Sequence, residues 1–365
     1  VKGQWSGVFQ GTNEGTSIVH IDELAKSYSG VAYFFDGDST KVSLAVHFVC
    51  PKGDGTYFKA KSVQINPLMY EFLTEIPRET VSPEVQSTLP KVVEISFQIN
   101  GREAEVQATT DIGTEVKGIL TQSVCDGMSN LVPTRMSWKE FKAYVVGSEH
   151  NLLYRGQAKS WKLQTSFHRR ERYDLTRFLR EDIVQLHRLL SAKTKHVFDL
   201  SIPQENGAFI NLAQHHGYPT PLLDWSYSPF VAAFFAFRDI QKSESNSTNH
   251  VRIFVFDHAT WRGVFKQNQN LTSGQRNLSV IDLLAIENGR MVPQQATTTY
   301  TNIADIESYL IEREEMSGYK FLLAIDIPYT ERDQVMKELT LMGLTAGSLF
   351  PGLDGTCEEL KEKMF

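Results

Sequence analysis

For about its first third the chain alternates bulky apolar residues with small or polar ones, and near Pro133 that alternation stops. A repeat of two belongs to a β-strand with one buried face, so this stretch has little choice of secondary structure. Gly3-Gln4-Trp5-Ser6-Gly7-Val8-Phe9 is the first such run, and Gly11-Thr12-Asn13-Glu14-Gly15 supplies turn chemistry behind it. Runs over 17–21, 30–35, 42–49 and 56–60 follow, separated by Gly, Asp and Ser clusters. Further on, Val93 to Ile99 and Glu105 to Thr109 flank Asn100-Gly101, a pair suited to a tight hairpin turn. Strands this short and this closely spaced predict an antiparallel barrel or sandwich, closed so that no edge is exposed. The mouth of a barrel offers room for a small ligand or a protein partner; a barrel filled by its own side chains offers none.

Beyond Pro133 the apolar spacing turns helical. Ser137 with Glu140 three residues on is a capping box, opening a helix over 138–146. Residues 151–155 predict a strand, and 175–192 and 206–214 predict helices. Ser228-Pro229 starts a further helix, because a Pro in the first turn loses no hydrogen bond. A loop is expected over 243–249, strands over 251–256 and 321–327, and a helix over 330–342. At 365 residues the chain exceeds one ordinary core. The expectation is two domains: an all-β barrel or sandwich over 1–133 and an α+β domain over 134–365.

Composition narrows the setting. With 41% hydrophobic and 22% charged residues the chain reads as globular. No run of about 18 apolar residues appears, so no membrane-spanning helix and no membrane partner are expected. The first residues lack the charged-then-apolar layout of a signal peptide. Cys50, Cys125 and Cys357 show neither pairing nor zinc-ligand spacing, which suggests a reducing, cytoplasmic location and no metal site. Charge is uneven: residues 1–135 hold 11 Lys and Arg against 16 Asp and Glu, whereas 155–195 hold 11 against 4. That basic stretch suits phosphate-bearing ligands, nucleic acid among them, or is simply a solvated helix face.

Residues able to carry chemistry gather in few places. Arg155 ends an apolar strand, where a guanidinium needs a specific partner. That partner is a pyrophosphate or carboxylate gripped bidentately, or Asp224 in an internal salt bridge. Gly156 would let a ligand approach the backbone, and Gln157 adds an amide. The second place is 214–237, where His215, His216, Thr220, Asp224 and Ser226 precede the apolar run from Ala232 to Phe237. An imidazole there orients a substrate hydroxyl or moves a proton near neutral pH, unless it is a core His bonded to backbone. Being adjacent, His215 and His216 should point in different directions. Asp224 is a base, an electrostatic stabiliser or the counter-ion of Arg155. Ser226 is a ligand hydroxyl or the N-cap of the helix near Pro229. No Gly-x-Ser-x-Gly elbow surrounds it, which argues against a hydrolase nucleophile. Arg290, Gln294 and Gln295 occupy a turn-rich third stretch, and Glu312-Arg313-Glu314-Glu315 is expected on a solvated helix face. No Walker A or Gly-x-Gly-x-x-Gly motif is present, and no metal–carboxylate cluster for a nuclease can be assembled.

These blocks resemble the FRG domain family over about 137–357. The core is Tyr154-Arg155-Gly156-Gln157, followed by Trp161-Lys162-Leu163-Gln164-Thr165-Ser166-Phe167-His168-Arg169. The second block is His215-His216-Gly217-Tyr218-Pro219-Thr220-Pro221-Leu222-Leu223-Asp224-Trp225-Ser226, and the third runs from Arg290 to Gln295. The ending Leu349-Phe350-Pro351-Gly352-Leu353-Asp354-Gly355 is similar to the ends of such proteins. The opening Gly3-x-Trp5-x-Gly7 is in turn similar to lipocalin-like and avidin-like barrels.

The Tyr-Arg-Gly strand also looks like the first-strand arginine of ADP-ribosyltransferases of the Arg–Ser–Glu class. That likeness implies NAD as substrate, with Arg155, Gln157, Thr220, His215, Arg290 and Gln294 holding it. Asp224, His216 and Ser226 would then be catalytic, with Asp224 supplying charge where the class has a Glu. It implies an effector of a toxin or phage-defence kind. The alternative is a non-catalytic module that binds a nucleotide, nucleic acid or protein.

Overall fold

The computed structural model describes the chain except residues 54, 70–72, 149–151, 245–247, 269, 271 and 365. The start of the strand predicted from Asn151 and the middle of the loop predicted over 243–249 therefore lie outside the described residues. The N-terminal part is a closed antiparallel barrel. Its eight strands are β1 (Gly3–Gly11), β2 (Gly15–Glu23), β3 (Ser27–Asp36), β4 (Leu44–Pro51), β5 (Tyr57–Met69), β7 (Val93–Asn100), β8 (Glu103–Thr110) and β9 (Glu115–Ser123). The two-residue β6 (Thr74–Glu75) pairs with the end of β5. Each of the eight pairs with its neighbour in sequence, and β9 returns to β1 to close the ring. Asn100 faces Glu103 across the hairpin, with Gly101 at φ 63°, so the Asn-Gly turn is where the alternation placed it. The expectations missed β9.

The inward residues fill the barrel: Trp5, Phe9, Val19, Ile21, Phe48, Phe58 and Phe97 pack in one cluster, with Phe58 and Phe97 stacked at 4.5 Å. A cavity of about 10 Å³ beside Phe9 and Phe34 is the size of one water probe. The outward residues are more unusual, because Gln4, His20, Asp22, Tyr33, His47 and Asn66 are polar-tipped and still buried. They face the second domain. Asp22 accepts from Arg172 Nε at 2.6 Å and from the main-chain N–H groups of Tyr173 and Asp174. Glu75 accepts from Asn66 at 3.0 Å and Thr176 at 3.1 Å, meets His47 at 2.8 Å and lies 3.6 Å from Arg180. Gln4 bonds the main chain of Asn302 and Ala304.

This interface explains the uneven charge. Arg172, Arg177 and Arg180, central to the basic stretch, are spent on Asp22, Asp182, Glu181 and Glu75. The acidic N-terminal part is thus a partner of the basic stretch, and that stretch is not a merely solvated face.

The C-terminal part is α+β, built on a seven-stranded sheet: β10 (Thr134–Arg135), β11 (Leu153–Gln157), β12 (Leu222–Ser226), β13 (His250–Phe256), β14 (Leu278–Ile281), β15 (Ala296–Thr301) and β16 (Leu322–Pro328). Its order is β10-β16-β13-β11-β12-β15-β14, with β10 and β16 parallel and the other pairs antiparallel. The barrel ends at Ser123 and β10 already belongs to this second sheet, so residues 124–133 connect the two parts. Both faces carry helices. The capping box of Ser137 and Glu140 opens the helix Trp138–Gly147, which packs with Pro229–Phe237 and Arg332–Leu341 on one face. The helix Ile306–Ser317 lies on the other face with Trp261 and Phe321.

The helix expected over 175–192 is broken by a π turn at Phe178–Asp182 and ends at Leu190. Strand β12, unforeseen in the sequence, follows Pro219 and Pro221 and carries the polar Asp-Trp-Ser. Glu314 is no solvated side chain: it accepts from the main-chain N–H groups of Phe321 at 2.8 Å and Leu322 at 2.9 Å, while Glu312 pairs with Arg276.

Candidate functional site

Central strand β11 delivers Arg155-Gly156-Gln157 beside β12, which delivers Asp224 and Ser226; Tyr154 pairs directly with Ser226. Gly156 lines the cavity of this site, and its Cβ side is taken by the chain itself. A Cβ there would sit 1.8 Å from the Ala232 carbonyl oxygen, so the glycine exists to let the apolar helix Pro229–Phe237 lie against the strand. This contact makes the site possible, because it fixes β11 against the buried helix just where Arg155 emerges.

A cavity of about 620 Å³ opens there, and Arg155, Gln157, His215, Asp224, Ser226, Arg290 and Gln294 all line it. Arg155 donates through Nη1 to the main-chain carbonyl of Asp224 at 2.6 Å, so of the two alternatives the internal salt bridge is not formed, and an anchor on the strand takes its place. Its Nε–H is buried with no hydrogen-bond partner among the described residues. Burial pushes the guanidinium down to about 10, the nearby Asp224 charge offsets part of this, and Arg169 adds repulsion. It remains a cation at neutral pH.

The Asp224 carboxylate is held elsewhere. Gln214 Nε2 donates to its Oδ1 at 2.5 Å, and Thr220 Oγ1 donates in turn to Gln214 Oε1. Solvent reaches Asp224 through the cavity, yet protein surrounds it on the other sides; that burial raises its pKa, against the lowering effects of Arg155 and the Gln214 hydrogen bond.

Three assignments change. Thr220 is fully buried and is not among the lining residues; its hydroxyl donates to Gln214, which holds Asp224. His216 is exposed at the end of the helix Pro203–His215 and lies outside the cavity lining, while His215 faces the cavity. The two rings meet edge to face at 4.9 Å. His215 is pushed down to about 4, first by burial and then by Arg290 and His216, so it is neutral at pH 7. Ser226 is not a helix cap: Ser228 caps, accepting from Val231 N, while Ser226 Oγ donates to the Gln294 carbonyl at 2.7 Å.

The third block and the C-terminal segment complete the wall. Gln294 Nε2 donates to the Leu349 carbonyl at 2.9 Å, and the Arg290 guanidinium lies 5.1 Å above the Phe350 ring. Gln214, Arg169, Trp161 and Phe350 also line the cavity, although sequence reasoning gave none of them a role. The signal for Gln214 and Arg169 was their place inside the two polar blocks; that for Phe350 was the C-terminal block.

A larger cavity, about 860 Å³, lies under the helix Leu353–Met364. Ion pairs such as Arg332 with Glu362 and Arg238 with Glu358 line it, and none of the candidate site residues does. The chemistry is concentrated in the smaller one.

Comparison with known proteins gives a family for this region: residues 150–245 match the model of the FRG domain. That match contains Arg155, Gln157, both histidines, Thr220, Asp224 and Ser226. Among solved structures, a redesigned β-barrel, mFAP1, bound to DFHBI, is 10% identical, with a TM-score of 0.24, over 33% of this chain and 94% of that one. No curated protein matches.

Proposed function

We propose that this chain, which carries an FRG domain over residues 150–245, binds NAD in the Arg155–Asp224 cavity and cleaves or transfers its ADP-ribosyl group. One observation carries this reading: a rigid guanidinium with a buried, unpartnered N–H shares a cavity with an oriented carboxylate. Arg155 would grip the pyrophosphate, with Arg290 as a second cation. Neutral His215 would orient a ribose hydroxyl. As the bond between nicotinamide and ribose breaks, its electron pair leaves on the ring nitrogen and positive charge grows on the ribose. Asp224 would stabilise that charge by its field. A lone pair of water or another acceptor then bonds to the anomeric carbon, and the acceptor's proton is released. NAD loss of this kind would serve a toxin or phage-defence effector in the cytoplasm. Among the described residues no helix is long and apolar enough to cross a membrane.

A second reading, a non-catalytic nucleotide-binding module, draws on Ser226 and Thr220, whose hydroxyls are both committed to internal hydrogen bonds. Incubation with NAD labelled on the adenylate separates the two. Turnover should release nicotinamide, and Arg155→Ala and Asp224→Asn should each lower it by about 10² or more. Absence of turnover alone and with DNA, RNA or cell lysate, alongside tight ADP-ribose binding, would establish the module instead.

A further inference from the structure

The NAD cavity does not end at its own rim. A groove of about 690 Å³ adjoins it, and Gln157, Trp161 and Arg169 line both. Arg169 also lines a smaller hollow of about 210 Å³ together with Arg155 and Asp224. Arg169 is thus a wall common to all three spaces. Both parts of the molecule wall the groove: Lys2, Gln122 and Ser123 come from the barrel, while Gln164, His168 and Tyr173 come from the second domain. Its position is firm, because the connecting segment is stitched along 160–163: Ser129 N donates to the Ser160 carbonyl, Lys162 N to the Gly127 carbonyl.

The chemistry of the walls selects a ligand. Trp161 is 47% exposed, with Lys159 Nζ 5.9 Å from its ring centre. Neither Lys159 nor Arg169 pairs with a carboxylate among the described residues, whereas Lys162 is neutralised by Asp305 at 3.0 Å and Lys2 by Glu171 at 2.6 Å. Asp126 is an acid on the groove wall without a cation partner among the described residues. His168, 1% exposed, also lines the groove, and its Nε2 has no hydrogen-bond partner among those residues. An accessible indole with Lys159 over its ring, and Arg169 on the same groove wall, suits alternating bases and phosphates.

We propose that this interdomain groove is the acceptor site and that its acceptor is single-stranded nucleic acid, a base stacking on Trp161 and phosphates meeting Arg169 and Lys159. The proposal rests on the ADP-ribosyl-transfer reading for the fate of the bound strand, but not for its binding. It also gives the barrel a task, since without it one wall of the groove is missing.

The test uses the full chain and fluorescein-labelled 20-mer single strands of DNA and RNA, read by anisotropy at two salt concentrations. Binding should weaken with salt, and Trp161→Ala and Arg169→Gln should each lower affinity about tenfold at unchanged melting temperature. Wild-type protein that fails to bind either strand at 100 µM, or variants that bind as wild type does, would overturn the proposal. So would label from NAD entering only protein while the oligonucleotide stays unlabelled in a competent reaction. Strand binding that depends on Trp161 without NAD turnover leaves the groove standing and removes the reaction proposed above.

Discussion

Arg155 and Asp224 meet through the wrong oxygen for a salt bridge: the guanidinium donates to the Asp224 main-chain carbonyl at 2.6 Å, leaving the carboxylate to Gln214. An Arg–carboxylate pair would neutralise both groups and close the site. Anchoring on the carbonyl instead positions the cation while the acid stays available to a ligand.

Gln214 is therefore expected to matter as a positioning residue. Its hydrogen bond lowers the Asp224 pKa against the raising effect of burial. In Gln214→Ala the pKa rises further, so the acid limb that the proposed turnover owes to ionised Asp224 should move to higher pH. A pH–rate profile checks this, and an unmoved limb at reduced rate would reduce Gln214 to scaffolding.

Gly156→Ala should damage folding, not ligand binding. The added methyl meets the Ala232 carbonyl at 1.8 Å, and relieving it means moving the helix Pro229–Phe237 off the sheet. Overpacking of this kind costs about 3 kcal/mol. Urea denaturation is the measurement, and a variant as stable as wild type would refute the packing account.

The interface between the two parts should be acid-sensitive. Burial pushes His20 down to about 4 and His168 down to about 3, from the usual 6.5. A depressed histidine pKa means that the unfolded chain takes up protons first as pH falls. Stability is complete above pH 6.5 and is lost as pH falls from there towards pH 4. Buried Asp174 is raised to about 6 and opposes this, because its folded form binds protons between pH 6 and 4. At pH 5 the net loss relative to pH 7 is on the order of 2–3 kcal/mol. Denaturation at both pH values measures it, and His168→Gln should flatten the dependence.

Asp22→Ala takes one of its two carboxylates from Arg172, which keeps Asp182, and leaves the main-chain N–H groups of Tyr173 and Asp174 without their acceptor. Leaving buried donors without their acceptor costs roughly 1–3 kcal/mol each. The two parts should then separate, and limited proteolysis should cut within 124–133, where the connection lies. An uncut linker would mean that the remaining contacts, those of Gln4, Glu75 and the Lys2–Glu171 pair among them, suffice to hold the interface.

What the sequence alone determined is mostly local. A period of two made strands of the first third, the Ser137–Glu140 box started a helix, and Asn100-Gly101 turned a hairpin, because each depends on neighbours a few residues apart. The chain also named Arg155, Asp224, Gln294 and Arg290 as candidates, since polar groups next to apolar runs must find a use. Tertiary structure decided which of them meet. It chose His215 over His216, turned Thr220 away and let Ser228 take the cap, because a one-residue shift at a helix end redirects a side chain. It gave Gly156 to helix packing and assigned the basic stretch to Asp22 and Glu75. Those two carboxylates lie about 150 and 100 residues away from Arg172, Tyr173 and Thr176 in sequence. No local pattern encodes such pairings; only closing the barrel and docking its outer face bring them within hydrogen-bond reach.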